Sequence, residues 1–332
     1  MKKKKIRIKF VDFFGGFNMQ DNEFLDVLNK RYDVELSDHP DYVFYSGFGY
    51  EHLKYDCIRI FFTGECYTPN FNECDYAIAF DRLCFGDRYL RLPLYNIFQY
   101  KSEYEKLKNR PIFTEDDLNA KKGFCSFVVS NCFADDVRAV FYDKLSQYKP
   151  VASGGRFRNN IGGAVADKKK FQSEYKFAIA FENTSYDGYC TEKLMEAFAA
   201  GAVPIYWGDP GVVNDFNPDS FINAHDFKSF DEVVERVKEI DNDDALYLKM
   251  RNATPLKSMN TDNGLAEFLY HIIDQVIEKT KRRPDSIPAM SCEKMLKRHE
   301  FFETHIYKYY KKILNQIVRY KTGTMLTYKR TK

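Results

Sequence analysis

The stretch FAIAFENTSYDGYCTEKLMEAFAAGAVPIYWG, residues 177–208, decides how this sequence folds. It lies within a longer pattern that opens on YKFAIAFEN (175–183), an apolar run that reads as a buried strand. TEKLMEAFAAG (191–201) follows with a glutamate in its first turn and a glycine at its end, the signals of a helix that starts and stops there. AVPIYWGDP (202–210) is the next strand, so the stretch is a strand-helix-strand unit with a right-handed crossover. Open α/β sheets bind ligands beyond the carboxyl ends of their strands. Here Glu182 and Asn183 emerge at a strand end, Tyr189 from the loop, and Glu192 and Lys193 from the first helical turn. The free N–H groups of a helix N-terminus suit a phosphate, and Lys193 adds a full charge.

The same alternation extends outward. GFCSFVVSN (123–131) reads as a strand, DDVRAVFYDKLSQY (135–148) as a helix with Val137, Val140, Phe141 and Leu145 inward, and SFDEVVERVKEI (229–240) as a helix burying Val233, Val234, Val237 and Ile240. In the amino-terminal half, Ile6, Ile8 and Phe10 alternate as in a strand that ends before Gly15-Gly16. DYVFYSGFG (41–49), CIRIFFTGE (57–65) and DYAIAFD (75–81) are three further strands, with weaker helices over 22–29 and 103–108. The polar segment 108–123, with Pro111 and Gly123, marks a domain boundary. The sequence therefore predicts two doubly wound α/β domains facing a cleft, over 1–115 and 116–280, followed by a linker and tail over 281–332.

At 332 residues the chain has room for about two domains. A formal charge of only +2 argues against a uniformly basic nucleic-acid binder, and no nucleic-acid partner is expected. The charge is uneven, because residues 304–332 carry eight basic side chains and no acid. Ile306, Tyr310, Ile313, Leu314, Ile317 and Val318 fall on one helical face there, so the tail reads as a basic amphipathic helix able to lie on an anionic membrane surface. No window approaches the roughly 18 apolar residues of a membrane span. Arg7, Lys9 and Asp12 interrupt what would otherwise resemble a secretory leader, and the first apolar run reads as a strand. The eight cysteines, at 57, 66, 74, 84, 125, 132, 190 and 292, form no CxxC pair, which predicts free thiols and a cytoplasmic protein, peripheral at most on the inner membrane face.

The phosphate-loop pattern GxxxxGK[ST] is absent, and the glycine-rich SGGRFRNNIGG (153–163) lacks GxGxxG spacing, which excludes kinase, P-loop and plain dehydrogenase readings. The FEN and TEK elements of 177–208 and its closing VPIYWG resemble the donor-site signature of the alpha-1,3/4-fucosyltransferases, glycosyltransferase family 10. The likeness takes in FFTGECYTPNFNECDYAIAFDRLCFGDRYLRLPLY (61–95), similar to the acceptor side of bacterial members, and FVVSNCFADDVRAVFYDKL (127–145), covering roughly residues 40–275 in all. Cys190 stands where many members carry Val.

This resemblance implies a GT-B fold of two Rossmann-like domains, with an acceptor half before a donor half, and GDP-fucose as donor. It also implies inverting transfer of L-fucose to O3 of GlcNAc in N-acetyllactosamine-type, Lewis-type acceptors. Alternatives are alpha-1,4 linkage, another nucleotide sugar, or a glycan- or membrane-binding protein without turnover. Inversion needs a base for the acceptor hydroxyl, and Glu65 in Thr63-Gly64-Glu65 matches the family's. The leaving diphosphate must be neutralised by a metal or by fixed cations and N–H dipoles, and Arg138 and Lys193 match the family's phosphate-binding residues. Glu192 would hold the ribose or stabilise oxocarbenium character, and Asn183 and Tyr189 match donor-contacting positions beside Glu182. The segment 12–18 falls where acceptor choice varies. Asp241-Asn242-Asp243 has DxD spacing but follows a predicted helix and reads as a polar loop, so neither an essential metal nor another cofactor is expected.

Overall fold

A computed structural model describes residues 3–130, 134–257, 263–276, 281–310 and 313. Cys132 and most of the 304–332 tail lie outside the described residues. The chain forms two compact units, one of residues 3–99 with those described from 263 onward, the other of residues 100–257.

The first unit is built on six parallel strands: β1 (Lys5–Val11), β2 (Asp33–Leu36), β3 (Tyr42–Tyr45), β4 (Ile58–Phe62), β5 (Tyr76–Ala79) and β6 (Tyr89–Arg91). Their order is β2-β1-β3-β4-β5-β6. All four residues of β3 and of β5 are buried, as in a sheet covered on both faces. Helix α1 (Glu23–Arg31) starts where Asn22 accepts a hydrogen bond from the Leu25 N–H. Glu23 in its first turn and Arg31 in its last suit the helix dipole, and its Phe24 and Leu28 are buried in the core with Phe10 and Phe44.

The second unit begins with α2 (Lys101–Lys108) and α3 (Glu115–Asn119). It continues through β7 (Gly123–Phe127), α4 (Val137–Ser146), β8 (Val151–Ser153), α5 (Lys168–Ser173), β9 (Tyr175–Phe181), α6 (Glu192–Ala199), β10 (Val203–Trp207) and β11 (Ile222–Asn223). Helices α7 (Phe230–Asp241) and α8 (Asp244–Asn252) complete it. The parallel sheet runs β11-β10-β9-β7-β8, so the strand-helix-strand unit found in the sequence is β9-α6-β10 near its middle. Helix α6 stops as predicted, with Gly201 at φ +79°, a conformation other residues rarely adopt. The α/β class and the two Rossmann-like parallel sheets agree with the sequence reading.

The boundaries differ from it in three places. Helix α2 joins the second unit, not the first, because Tyr104 and Leu107 are buried there and Glu103 pairs with Lys169. Helix α9 (Leu265–Asp274) returns to the first unit, burying Leu265, Leu269, Ile272 and Ile273, while the Tyr32 hydroxyl donates to Asp274 at 2.8 Å. The segment from 281 is not a free linker either. The buried carboxylate of Asp75 accepts the backbone N–H groups of Arg282 and Arg283 at 2.7 and 2.8 Å and pairs with the Arg283 guanidinium. Pro284 precedes and Pro288 opens α10 (Ile287–Phe302), whose Glu293 lies 3.5 Å from Arg59. The short strands β2, β6, β8 and β11 escaped the sequence reading.

Two side-chain expectations also change. On α4 the buried residues are Arg138, Phe141 and Leu145, while Val140 is 44% exposed. Asp241-Asn242-Asp243 is no loose loop. The Asp241 carboxylate is buried against Lys176 at 2.8 Å and Lys149, and the Asp243 side chain caps α8.

Because the Asp75 carboxylate is buried, Arg283→Ala should cost about 3 kcal/mol of first-unit stability in urea titration. Arg282→Ala, which removes a half-exposed pair with Asp87, should cost less, about 1 kcal/mol.

Candidate active site

The carboxyl end of β9 organises the site. Glu182, the residue after the strand, has no solvent exposure, and an unpaired carboxylate there would be costly. It is fully partnered: one oxygen accepts the Thr191 N–H at 2.7 Å, the other the Thr191 hydroxyl and the Lys193 ammonium, each at 2.7 Å. Lys193 also donates to the Thr191 hydroxyl oxygen at 2.8 Å. The first turn of α6 is thereby tied to the end of β9. Burial alone would push the Lys193 pKa down, but Glu182 and Glu192 outweigh it and hold the ammonium above its ordinary value. Burial likewise disfavours the Glu192 anion, yet Lys193 at 3.7 Å and Lys168 keep its pKa below the ordinary value.

Asn183 performs the matching task for α4. Its side-chain oxygen accepts from Arg138 at 3.1 Å, and its carbonyl accepts the Asp135 N–H at 2.8 Å. Arg138 is 3% exposed and its like charge repels that of Lys193, so consecutive residues at one strand end hold two cations near each other. The structure thus brings together Arg138, Glu182, Asn183, Glu192 and Lys193. Tyr189 is buried instead, its carbonyl accepting from the Tyr206 hydroxyl at 3.4 Å.

Three contributors were missed in the sequence. Thr191 links Glu182 to Lys193. Asp209 accepts the Gly188 and Gly211 N–H groups, both at 2.8 Å, and so fixes the loop before α6. Gly208 lets β10 approach, since a Cβ there would lie 2.4 Å from the Glu182 Cγ. All three stand in the TEK and WGDP segments, and only the fold assigns their tasks.

Glu65 belongs to the first unit, three residues past β4, and is exposed. The Thr63 hydroxyl accepts its N–H at 3.0 Å and donates to its carbonyl at 3.1 Å, which fixes the backbone while no described residue pairs with the carboxylate. A cavity of about 240 Å³ in this unit is lined by Tyr45, His52, Tyr67 and Glu73. At the end of β1, Asp12 takes φ +59° and accepts from the His52 Nδ1 at 2.7 Å, which orients one wall of that cavity. Among the described residues no group of three or more His, Cys, Asp and Glu side chains is arranged to hold a metal ion.

Paired Rossmann-like units, one with clamped cations at the carboxyl edge of its sheet, define the GT-B class of glycosyltransferases. Residues 8–98 match the alpha-(1,3)-fucosyltransferase FucT N-terminal domain, and residues 118–261 the C-terminal domain of glycosyltransferase family 10. The chain belongs to family 10, the fucosyltransferases. It is 39% identical over 285 residues to the alpha-(1,3)-fucosyltransferase FucT of Helicobacter pylori, covering 74% of this chain and 58% of that protein. It is 34% identical over 157 residues to a bovine 3-galactosyl-N-acetylglucosaminide 4-alpha-L-fucosyltransferase, covering 46% and 42%. The chain thus spans less than two thirds of these curated relatives. A crystal structure of an alpha1,3-fucosyltransferase with GDP-fucose superposes with a TM-score of 0.69 at 33% identity, covering 86% of this chain and 93% of that one.

Gly208→Ala would drive a methyl group into the buried Glu182 side chain. Such overpacking should cost about 1–3 kcal/mol of second-unit stability, read by urea denaturation.

Proposed function

We propose that this chain is an inverting fucosyltransferase that moves L-fucose from GDP-fucose to O3 of GlcNAc in N-acetyllactosamine-type acceptors. The observation that carries this reading is the clamping of Arg138 by Asn183 and of Lys193 by Glu182 at the start of α6. A departing diphosphate develops negative charge, and cations held in place before reaction stabilise it without reorganising. The N-terminus of α6 adds N–H dipoles of the same sign. In the proposed step the acceptor O3 attacks the fucose anomeric carbon, the bond from that carbon to the β-phosphate oxygen breaks, and Glu65 takes the hydroxyl proton. Glu192, held ionised, stabilises the positive charge that develops on the sugar. Glu182 is a positioning residue, since its carboxylate is committed to Thr191 and Lys193. With two fixed cations at the phosphates, the reaction is proposed to need no metal and no other cofactor.

The test is GDP release from GDP-fucose, with and without N-acetyllactosamine, with EDTA present throughout. Acceptor-dependent release is expected, and its loss in EDTA would overturn the metal-independent step. In the same assay Glu65→Gln should lower turnover by about 10²–10⁴-fold while GDP affinity stays near normal. Lys193→Ala should weaken GDP binding by about tenfold or more. Alpha-1,4 transfer is a second reading, favoured by the name of the bovine relative, and linkage analysis of the product separates the two.

No helix among the described residues is long and apolar enough to cross a membrane. The basic tail is proposed to bind an anionic membrane surface, supported by its eight cations and the exposed Ile306, Tyr309 and Tyr310. Deleting 304–332 should reduce sedimentation with phosphatidylserine vesicles and spare activity on soluble acceptor.

A further inference from the structure

The second unit has a cavity of about 570 Å³ beside the carboxyl end of α6, about 12 Å of helix away from Lys193. Arg110, Lys121 and Arg251 converge on it from three different segments. Their hydrogen bonds end on backbone carbonyls: Arg110 on Ala253 at 2.6 Å, Lys121 on Ser173 at 2.8 Å and Gly201 at 3.0 Å, and the Arg251 Nε on Gly201 at 3.0 Å. None forms an ion pair with a carboxylate among the described residues. The acid that acts on them, Asp117, is committed to capping α3 through Thr114 at 2.9 Å. Glu105 and Lys106 also line the cavity.

Capping α6 accounts for part of this cluster, since Lys121 and Arg251 share the Gly201 carbonyl. It does not account for Arg110, nor for the Arg251 Nη1, which is buried without a hydrogen-bond partner on a side chain only 7% exposed. A buried donor on a charged group is costly to leave unmet, and so is gathering three like charges around one carboxylate that is already committed to a helix cap. Phe113, with the Arg251 guanidinium 4.9 Å and the Lys121 ammonium 5.3 Å from its ring, gives the cavity an apolar side together with Leu107 and Phe198.

We propose that this cavity binds a small organic phosphate, its phosphoryl group taken by Arg110, Lys121 and Arg251 and its organic part by Phe113 and Phe198, as a site separate from the donor end of α6. A phosphoryl group accepts from several N–H donors at once and adds negative charge where three cations share one committed carboxylate. The cavity exceeds what inorganic phosphate alone would fill, and its apolar side favours a ligand with an organic portion. Burial, followed by the Arg251 charge, pushes the Lys121 pKa down to about 8, so at pH 8 more of it is the neutral amine than of an ordinary lysine, and a bound anion would reverse that shift. The proposal goes beyond the transferase reading and does not depend on it.

Lys121 supplies the readout. The full chain is acetylated with acetic anhydride at pH 8, and Lys121 modification is followed by mass spectrometry as inorganic phosphate or AMP is added at constant ionic strength. Saturable protection of Lys121 is expected, by AMP at lower concentration than phosphate, and it should persist in Lys193→Ala, which weakens the donor end only. Arg110→Gln should raise the concentration for half-protection by about tenfold or more, since it removes a charge-assisted contact. Absence of saturable protection by both probes would overturn the proposal, as would loss of that protection in Lys193→Ala, which would assign the anion to the donor end. Equal protection in Arg110→Gln would also overturn it. The wild-type titration decides alone if that variant does not fold.

Discussion

A carboxylate with no access to water is the constraint from which the second unit's geometry follows. Burying the Glu182 carboxylate is costly unless its oxygens are filled, and they are filled by the residues that open α6. The interaction sets where the helix starts relative to β9 and holds Lys193 charged beside Arg138. Breaking such a buried pair from one side costs about 3–5 kcal/mol, because the remaining charge stays buried. Gly208 belongs to the same constraint, as only a residue without a Cβ leaves room for the Glu182 side chain.

The first unit solves a similar problem with Asp75. Its carboxylate accepts the Arg59 N–H from β4 at 2.8 Å as well as the two N–H groups and the guanidinium from the 282–283 segment. Chain that follows the second unit in sequence is thereby fastened to the first, and α9 adds an apolar face next to α1. A unit assembled from both ends of its sequence explains why a linear division into domains misses its true extent.

The strong elements were legible because each satisfies its own physics locally. Residues 175–183 are apolar enough to be buried on both faces, and α6 carries its stop signal at Gly201. Helix α4 was read correctly as a helix and incorrectly as a face. Its valines suggested an apolar stripe through Val140, whereas the buried position is Arg138, because a partner at Asn183 pays for the desolvated charge. The short β2 and β6 carry too few apolar residues for periodicity to register.

The candidate site divides in the same way. Residue types and spacing at 182–183 and 192–193 were sufficient to mark a strand end and a helix start, which are the end of β9 and the first turn of α6, and the family likeness added Arg138 and Glu65 as candidates. Spacing alone could not reveal that Glu182 is committed to Thr191 and Lys193, that Asp241 is neutralised by Lys149 and Lys176, or that Arg110, Lys121 and Arg251 meet. The sequence determined the elements and the fold class, since hydrophobic periodicity and helix stops act over a few residues. Only the tertiary structure decided which charges are paired, because burial and Coulomb attraction depend on distances between segments that lie far apart along the chain.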